Sequence, residues 1–381
     1  RSDIYSLGIS FYEMLTDCLP FQAEDPAELV HHHIARTPEE PRELNPAIPA
    51  MLSRLVMKMI AKDPEDRYQS AAGLEHDLQR VRSAFDQGGV QEDFETGTRD
   101  VSPMLVFPAR LYGRDEALHA LVRSVDKATS GPAVMVCVAG HSGIGKSALV
   151  REVMRPVAGR QGHFIAGKFD QLNRVTPYSA IVQAFDELVR LMLAESQERL
   201  DRLREDLLEA LGSNAQVVME VIPALEALLG EQPPVVPLGP GEAQIRFNVL
   251  FRRFMRALAT PERPLVIFLD DLQWADAASL SLLEVLMTDS GIWNLLLICA
   301  YRDNEIGPGH PAAALFKVLE REGTEIQRIT LPPLVSEYVS ELVADTLRLP
   351  ERESGVLAEL VTEKTRGNPF FVRQFLQTLH D

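Results

Sequence analysis

A glycine-rich segment near the middle of the chain has the residue types and spacing that hold phosphate groups. It fits G-x-x-x-x-G-K-[ST], with Gly140, Gly143 and Gly145 ahead of Lys146 and Ser147. Glycines let the backbone curl so that successive N–H groups point at phosphate oxygens, and the following helix N-terminus adds a favourable dipole. In such a P-loop the lysine reaches the β- and γ-phosphates and the hydroxyl coordinates Mg²⁺. The segment therefore predicts binding of a nucleoside polyphosphate, with Ser147 as a Mg²⁺ ligand.

A second segment ends in two acidic residues. The apolar run Leu265–Leu269 is followed by Asp270 and Asp271. A carboxylate at a strand tip beside the P-loop can hold the Mg²⁺ shell, which we predict for Asp270, and a second acid can orient or deprotonate the attacking water, which we predict for Asp271. Two acids after a strand are otherwise a solvated turn or a helix cap, and the nearby P-loop favours the catalytic interpretation. Asp276 is predicted to cap the helix that follows.

An arginine follows a further apolar run of the sequence. Arg302 comes directly after Leu295–Tyr301. A guanidinium at that strand tip could sense the γ-phosphate. The alternative is a solvated arginine paired with Asp303.

Buried strands and amphipathic helices must position these residues. The apolar runs at 133–139, 265–269 and 295–300 suit parallel strands buried on both faces. Helical patterns follow the P-loop over Ser147–Met154, cover about 178–260 with a break near 233–241, and return over 334–381. The alternation predicts an α/β fold with a parallel sheet flanked by helices.

The first part of the chain is helical in pattern. Leu52–Ala61 places apolar residues on one helix face. Asp63-Pro64 predicts a cap followed by a proline in the first turn, and Ser70 predicts a second helix N-cap. Residues 84–107 are rich in glycine, acids, threonine and serine, which is typical of a linker.

Composition limits the classes of function. The 381 residues are 46% hydrophobic and 24% charged, with a net charge of -17, so neither nucleic acid nor an anionic membrane is expected as a partner. The three cysteines form no CxxC pair, which argues against a disulfide framework or a zinc site and fits a reducing cytoplasm. We predict no membrane span. The chain also lacks an initiator methionine, so we expect a piece of a longer protein.

Residues 111–381 resemble the STAND branch of AAA-type ATPases. The matching segments are Leu111–Glu116, the P-loop, Leu269–Asp276, Tyr301-Arg302 and Gly367-Asn368-Pro369. The resemblance implies ATP as the nucleotide and a helical lid at the C-terminal end. It also implies that Gly113 and Arg114 lie near the base and that Gly367 and Pro369 contact the nucleotide from the lid.

The chain departs from the wider AAA pattern at one acid. AAA ATPases usually carry glutamate where Asp271 stands, and Asp271 is shorter by one methylene, as in many STAND proteins. Because a misplacement near 1 Å can cost roughly 100-fold in rate, we predict slow turnover.

Residues 1–83 resemble the end of a serine/threonine protein kinase domain. The matching segments are Ser2–Gly8, Leu19-Pro20-Phe21 and Lys62–Arg67. The resemblance implies that Asp3 braces a catalytic loop and that Arg67 pairs with an activation-segment glutamate. The glycine-rich loop, the catalytic aspartate and the D-F-G motif are absent from this chain, so this all-α remnant is predicted to be inactive.

The order of these parts resembles multidomain sensor kinases, which often continue into sensory and histidine-kinase domains. We therefore predict domains at 1–83, 111–333 and 334–381, with a linker at 84–110. The implied partners are ATP and the neighbouring kinase and sensory domains of the same parent chain, and a homo-oligomer is left open. The predicted function is an ATP-driven switch with slow hydrolysis. The alternatives are a steady ATPase that drives assembly or remodelling and, third, a STAND-type transcription regulator.

Overall fold

The computed structural model divides the chain into two compact units, Arg1–Val106 and Phe107–Asp381. It describes residues 2–22, 29, 32–33, 36–64, 66–86, 94–100, 105, 107–108, 110–172 and 176–380, and only the backbone of 351–353. The predicted linker therefore lies partly outside the described residues, at 87–93, 101–104, 106 and 109. The predicted domain boundaries stay predictions.

The described part of the N-terminal unit contains helices joined by turns and irregular segments. Its helices are α1 (Ser2–Thr16), α2 (Pro41–Leu44), α3 (Ala50–Met59) and α4 (Ala71–Asp86). The predicted apolar face of α3 is confirmed, since Leu55, Val56 and Met59 are fully buried. The predicted N-cap of α4 is also confirmed, because the Ser70 hydroxyl accepts a hydrogen bond from the backbone N–H of Gly73 at 3.0 Å.

The predicted helix start at Asp63-Pro64 is wrong, because the segment forms a turn. The backbone N–H of Asp66 donates to the carbonyl of Asp63 at 3.1 Å. The Arg67 guanidinium donates to the carbonyls of Ala61 at 2.6 Å and Lys62 at 3.0 Å. A side chain thus satisfies the carbonyls that follow α3, and the chain turns before α4 begins.

Residues 94–100, which the composition assigns to a linker, fold onto the start of α4. The Asp100 carboxylate accepts hydrogen bonds from the backbone N–H of Gln69 at 2.6 Å and of Ser70 at 2.9 Å. It also accepts one from the Ser70 hydroxyl at 2.9 Å. A carboxylate satisfies free N–H groups at a helix start, which composition alone does not reveal.

The C-terminal unit is built on a five-stranded parallel sheet with the strand order β2-β3-β4-β1-β5. The strands are β1 (Val134–Ala139), β2 (His163–Lys168), β3 (Leu265–Asp270), β4 (Leu295–Tyr301) and β5 (Ile326–Thr330). The predicted α/β fold is confirmed, and the three apolar runs are the central strands β1, β3 and β4. Strands β2 and β5 were not predicted, because they form the sheet edges and their sequences mix polar with apolar residues.

Helices cover both faces of this sheet. On one face lie α5 (Asp115–Thr129), α6 (Lys146–Arg151) and α7 (Met154–Ala158). On the other lie α8 (Ser179–Leu193), α9 (Gln197–Leu211), α10 (Ala215–Met219), α11 (Glu226–Leu229), α12 (Pro240–Leu258), α13 (Ala277–Met287) and α14 (Pro311–Arg321). The predicted helical region at 178–260 is confirmed, with its break before α12.

The C-terminal end is helical, as predicted. It consists of α15 (Ser336–Leu347), α16 (Glu351–Thr365) and α17 (Pro369–His380), which we call the C-terminal helices. Within the described parts of the chain, no helix is both long enough and apolar enough to cross a bilayer.

Candidate functional site

A cavity of about 360 Å³ opens at the carboxyl ends of the strands. In a parallel sheet the residues that follow the strands meet at this edge, which is the usual ligand position in open α/β folds. The predicted site residues that line the cavity are Gly143, Gly145, Lys146, Ser147, Arg114, Asp270, Asp271, Arg302 and Pro369. The other three, Gly113, Gly140 and Gly367, are not among the lining residues.

The P-loop connects β1 to α6 and folds around its own lysine. Gly143 and Gly145 have φ of 76° and 100°, a left-handed region that favours glycine. The Lys146 ammonium donates to the carbonyls of Gly140 at 2.8 Å and His141 at 3.0 Å. Lys146 is only 7% exposed, and this burial lowers the pKa of its ammonium. The loop therefore holds a cation at its centre.

Ser147 and Asp270 meet beside the P-loop. The Ser147 hydroxyl donates to Oδ2 of Asp270 at 2.6 Å. Ser147 lies in the first turn of α6 and Asp270 at the end of β3, so the fold joins residues 123 positions apart. A hydroxyl and a carboxylate oxygen side by side suit a hard, oxygen-binding cation such as Mg²⁺.

Asp271 lies at the meeting point of three strand tips. Its Oδ2 is 3.1 Å from the Lys168 ammonium at the end of β2, and its Oδ1 is 3.7 Å from Nε of Arg302 after β4. Its Oδ1 also accepts a hydrogen bond from Nε2 of Gln273 at 2.7 Å. The Asp271 carboxylate is therefore buried, at 7% exposure for the residue, and flanked by two cations.

The environment of Arg302 differs from the solvated alternative. Its guanidinium donates to Glu305 at 2.7 Å and lies 4.8 Å from the centre of the Trp274 ring. Asp303 lies instead 3.7 Å from His141. Ring contact and proximity to Asp271 hold the Arg302 cation at the cavity wall.

Sequence reasoning gave no role to Lys168 or Gln273. Lys168 ends an edge strand without a clear apolar run, yet the β2–β3 register pairs it directly with Asp270. Gln273 lies inside the Leu269–Asp276 segment of the resemblance, in which only the acids were given a role. For Gln273, the available signal was its position two residues after Asp271. For Lys168, it was its position at the end of the strand that pairs with β3.

The segment 110–114 links the P-loop to the C-terminal helices. The buried Arg114 donates to the carbonyls of Pro332 at 2.6 Å and Ile144 at 3.4 Å, and burial lowers the pKa of its guanidinium. The Tyr112 hydroxyl donates to Asp345 on α15 at 2.7 Å. These bonds fix one wall of the cavity between the P-loop and α15.

The turn before α17 contacts the P-loop directly. The Asn368 side-chain amide donates to the carbonyl of Ser142 at 2.9 Å. The backbone N–H of Phe370 donates to the backbone carbonyl of Gly143 at 3.2 Å. Gly367 accepts a hydrogen bond from the backbone N–H of Leu334 at 2.8 Å. A movement of the P-loop would therefore also displace the turn before α17 and, with it, the C-terminal helices.

Gly367→Ala is expected to loosen this turn. Gly367 has φ of 71°, and a Cβ there would overlap the carbonyl oxygen of Leu334. We expect a loss of at least about 2 kcal/mol of unfolding free energy, measured by urea unfolding. The matched control is Gly355→Ala, since a Cβ at that helical position meets open space. Equal stability of the two variants would contradict this account.

Comparison with known families supports this geometry. Residues 110–298 match the family model described as the AAA ATPase domain. The chain therefore contains an AAA ATPase domain, whose matched region holds the P-loop, Asp270 and Asp271. Its relation to a solved structure is more remote: Cdc6p from Pyrobaculum aerophilum is 13% identical, with a TM-score of 0.38, over 64% of this chain and 51% of that one.

Curated relatives include several kinases. Hybrid signal transduction histidine kinase G of Dictyostelium discoideum is 33% identical over 100% of this chain, which spans 13% of that protein. Histidine protein kinase 1 of Candida albicans is 23% identical over 91% of the chain, which spans 16% of it. Serine/threonine-protein kinase PknB of Mycobacterium leprae is 42% identical over 83 residues, 22% of this chain and 13% of that protein. The chain thus corresponds to a small part of each relative.

Proposed function

We propose that the AAA ATPase domain binds ATP with Mg²⁺ in the cavity, hydrolyses it slowly and acts as a switch within a signal-transduction protein kinase. The observation that carries the proposal is the convergence of a buried lysine, the Ser147–Asp270 pair and Asp271 on one cavity. A cation, an oxygen pair for a metal and a buried carboxylate are the parts that phosphoryl transfer to water requires.

Binding would begin at the P-loop. The Lys146 ammonium donates to two loop carbonyls and can exchange them for β- and γ-phosphate oxygens, which are stronger acceptors. Backbone N–H groups of the loop would hold the remaining phosphate oxygens. Ser147 and Asp270 would hold Mg²⁺, which when bound neutralises charge on the β- and γ-phosphates.

Hydrolysis would depend on Asp271 and Arg302. The Asp271 carboxylate can accept a hydrogen bond from a water and orient it towards the γ-phosphate, while Arg302 offsets developing negative charge. The Lys168 ammonium already lies 3.1 Å from Oδ2 of Asp271. A water aligned by that oxygen would compete with this cation, which supports slow turnover.

The switch would act through the contacts between the P-loop and the turn before α17. Asn368 and Phe370 bind the loop carbonyls of Ser142 and Gly143. If the nucleotide binds more tightly to the protein conformation in which these contacts have one arrangement, it shifts the population of molecules towards that conformation. Gly140 and Gly367 would contribute by letting the backbone at Leu331 and Leu334 approach closely, and Gly113 by leaving room for the Tyr338 ring.

The signalling context rests on the relatives. The kinases of the three organisms named above match this chain, and the Dictyostelium histidine kinase matches it along its whole length. We propose that the parent is a protein kinase that acts in the cytoplasm, with its kinase and sensory domains as partners. By the same proposal, Asp3 braces a catalytic loop and Arg67 pairs with an activation-segment glutamate of that parent.

Calorimetric titration of the 381-residue chain with Mg-ATP, together with an assay of phosphate release, tests this function. We expect micromolar binding that EDTA weakens, and turnover well below the roughly 10 s⁻¹ of a median enzyme. Rapid turnover would instead support a steady ATPase. A folded chain that does not bind Mg-ATP would overturn the proposal.

A further inference from the structure

We infer that Gln273 is a positioning residue for hydrolysis, whose buried amide fixes the direction of the Asp271 carboxylate and ties it to the end of β4. The inference rests on the proposed function, because it assigns a part in the same reaction. Gln273 acts through Asp271 and is not itself among the residues that line the cavity.

The contacts of Gln273 join two strand tips. It lies in the 3₁₀ turn Leu272–Trp274 directly after β3 and is 2% exposed. Its Nε2 donates to Oδ1 of Asp271 at 2.7 Å, and its Oε1 accepts from the backbone N–H of Arg302 at 3.2 Å. One side chain thus spans from the predicted base to the residue predicted to sense the γ-phosphate.

The chemistry of these two neighbours selects an amide. A carboxylate oxygen can only accept a hydrogen bond, and a backbone N–H can only donate one. The side chain between Asp271 and Arg302 must therefore donate at one end and accept at the other. Glutamine does both without a charge, and the two contacts also fix the assignment of its Oε1 and Nε2. Glutamate would turn an acceptor towards the carboxylate, and methionine would offer no donor and only a weak acceptor.

Asp271 depends on this support more than on its other neighbours. Its own backbone is in the left-handed region, with φ of 55°. The Lys168 side chain is 60% exposed, and Nε of Arg302 is 3.7 Å from Oδ1, beyond hydrogen-bond distance. The bond from Gln273 is both short and buried, so it sets where Oδ1 points.

The turn that carries Gln273 is itself anchored. His310 Nδ1 accepts a hydrogen bond from the backbone N–H of Ala312 at 3.1 Å, so the proton of the neutral ring is on Nε2. That Nε2 lies 3.0 Å from the backbone carbonyl of Gln273 and donates to it. Trp274, next in the turn, lies under the Arg302 guanidinium. Asp271 and Arg302 are therefore held by the same short turn and move with it.

The test compares Gln273→Met and Gln273→Glu with the wild-type chain. We expect Gln273→Met to lower kcat for phosphate release by about 10- to 100-fold, because a misplacement near 1 Å has an effect of that order. The Kd for Mg-ATP should change by less than about threefold, since Gln273 lies outside the lining. Gln374→Met, on an exposed face of α17, is the matched control and should leave both constants unchanged.

Gln273→Glu replaces the amide donor by a second carboxylate at nearly constant size. Adjacent carboxylates repel, so kcat should fall at least as far as in Gln273→Met. The Kd for Mg-ATP should again stay within about threefold of the wild-type value. A purely structural loss would instead lower kcat and weaken Mg-ATP binding together.

The outcomes separate this inference from the proposed function. If the wild-type chain hydrolyses ATP and kcat is unchanged in both variants, the inference is overturned and the proposed function stands. A loss of kcat in either variant that is matched by an equal loss of Mg-ATP affinity, as misfolding would give, also overturns the inference alone. A wild-type chain that binds Mg-ATP but releases no phosphate overturns the inference together with the hydrolytic half of the proposed function, and leaves nucleotide binding standing.

Discussion

Lys146→Ala is expected to abolish Mg-ATP binding at micromolar concentrations. The ammonium is almost fully buried at the centre of the P-loop. Among the described residues that line the cavity, no other lysine belongs to this loop. Truncating one partner of a buried, hydrogen-bonded charge pair costs about 2–5 kcal/mol, which corresponds to roughly 30- to 4000-fold in Kd. Calorimetric titration measures this effect directly.

The control for this variant must separate affinity from folding. Lys146 also holds the carbonyls of Gly140 and His141, so its loss changes the empty loop. Thermal unfolding should therefore be recorded beside the titration. Lys317→Ala removes an exposed lysine from α14 and should bind Mg-ATP as the wild type does. If a folded Lys146→Ala chain kept wild-type affinity, the P-loop would not be the phosphate site.

Asp271→Asn should stop hydrolysis while leaving binding almost intact. The amide has the size of the carboxylate but cannot take a proton, and its NH₂ group cannot accept a hydrogen bond from water. Loss of a general base lowers rates by about 100- to 10,000-fold. We expect phosphate release to fall by that factor and the Kd for Mg-ATP to stay within about threefold. Single-turnover release with excess protein separates chemistry from product release.

The matched control for this variant is Asp303→Asn. Asp303 is an acid just beyond Arg302 and lies near His141, outside the described lining of the cavity. The Asp303→Asn substitution removes the same charge from the same edge of the sheet, so it reports any general electrostatic effect on the nucleotide. If Asp271→Asn hydrolysed ATP as fast as Asp303→Asn, Asp271 would have no role as a base or in orienting water.

Much of the fold could be predicted because its signals are local. Central parallel strands are buried on both faces, so β1, β3 and β4 appear as unbroken apolar runs. The edge strands β2 and β5 expose part of their surface, and their mixed sequences hide them. The helix start predicted at Asp63-Pro64 is wrong because the Arg67 side chain binds the carbonyls of Ala61 and Lys62, and no periodicity reveals such bonds.

The sequence by itself determined the chemistry of the P-loop and the acids that follow β3, since a motif of fixed spacing sets which residues face phosphate. Only the tertiary structure decided what surrounds those acids. Lys168 reaches Asp271 from another strand, and Gln273 joins Asp271 to Arg302 across two strand tips. Such contacts depend on strand order and register, which follow from packing of the whole sheet. For the same reason, Gly367 proved to lie against Leu334 behind the cavity wall.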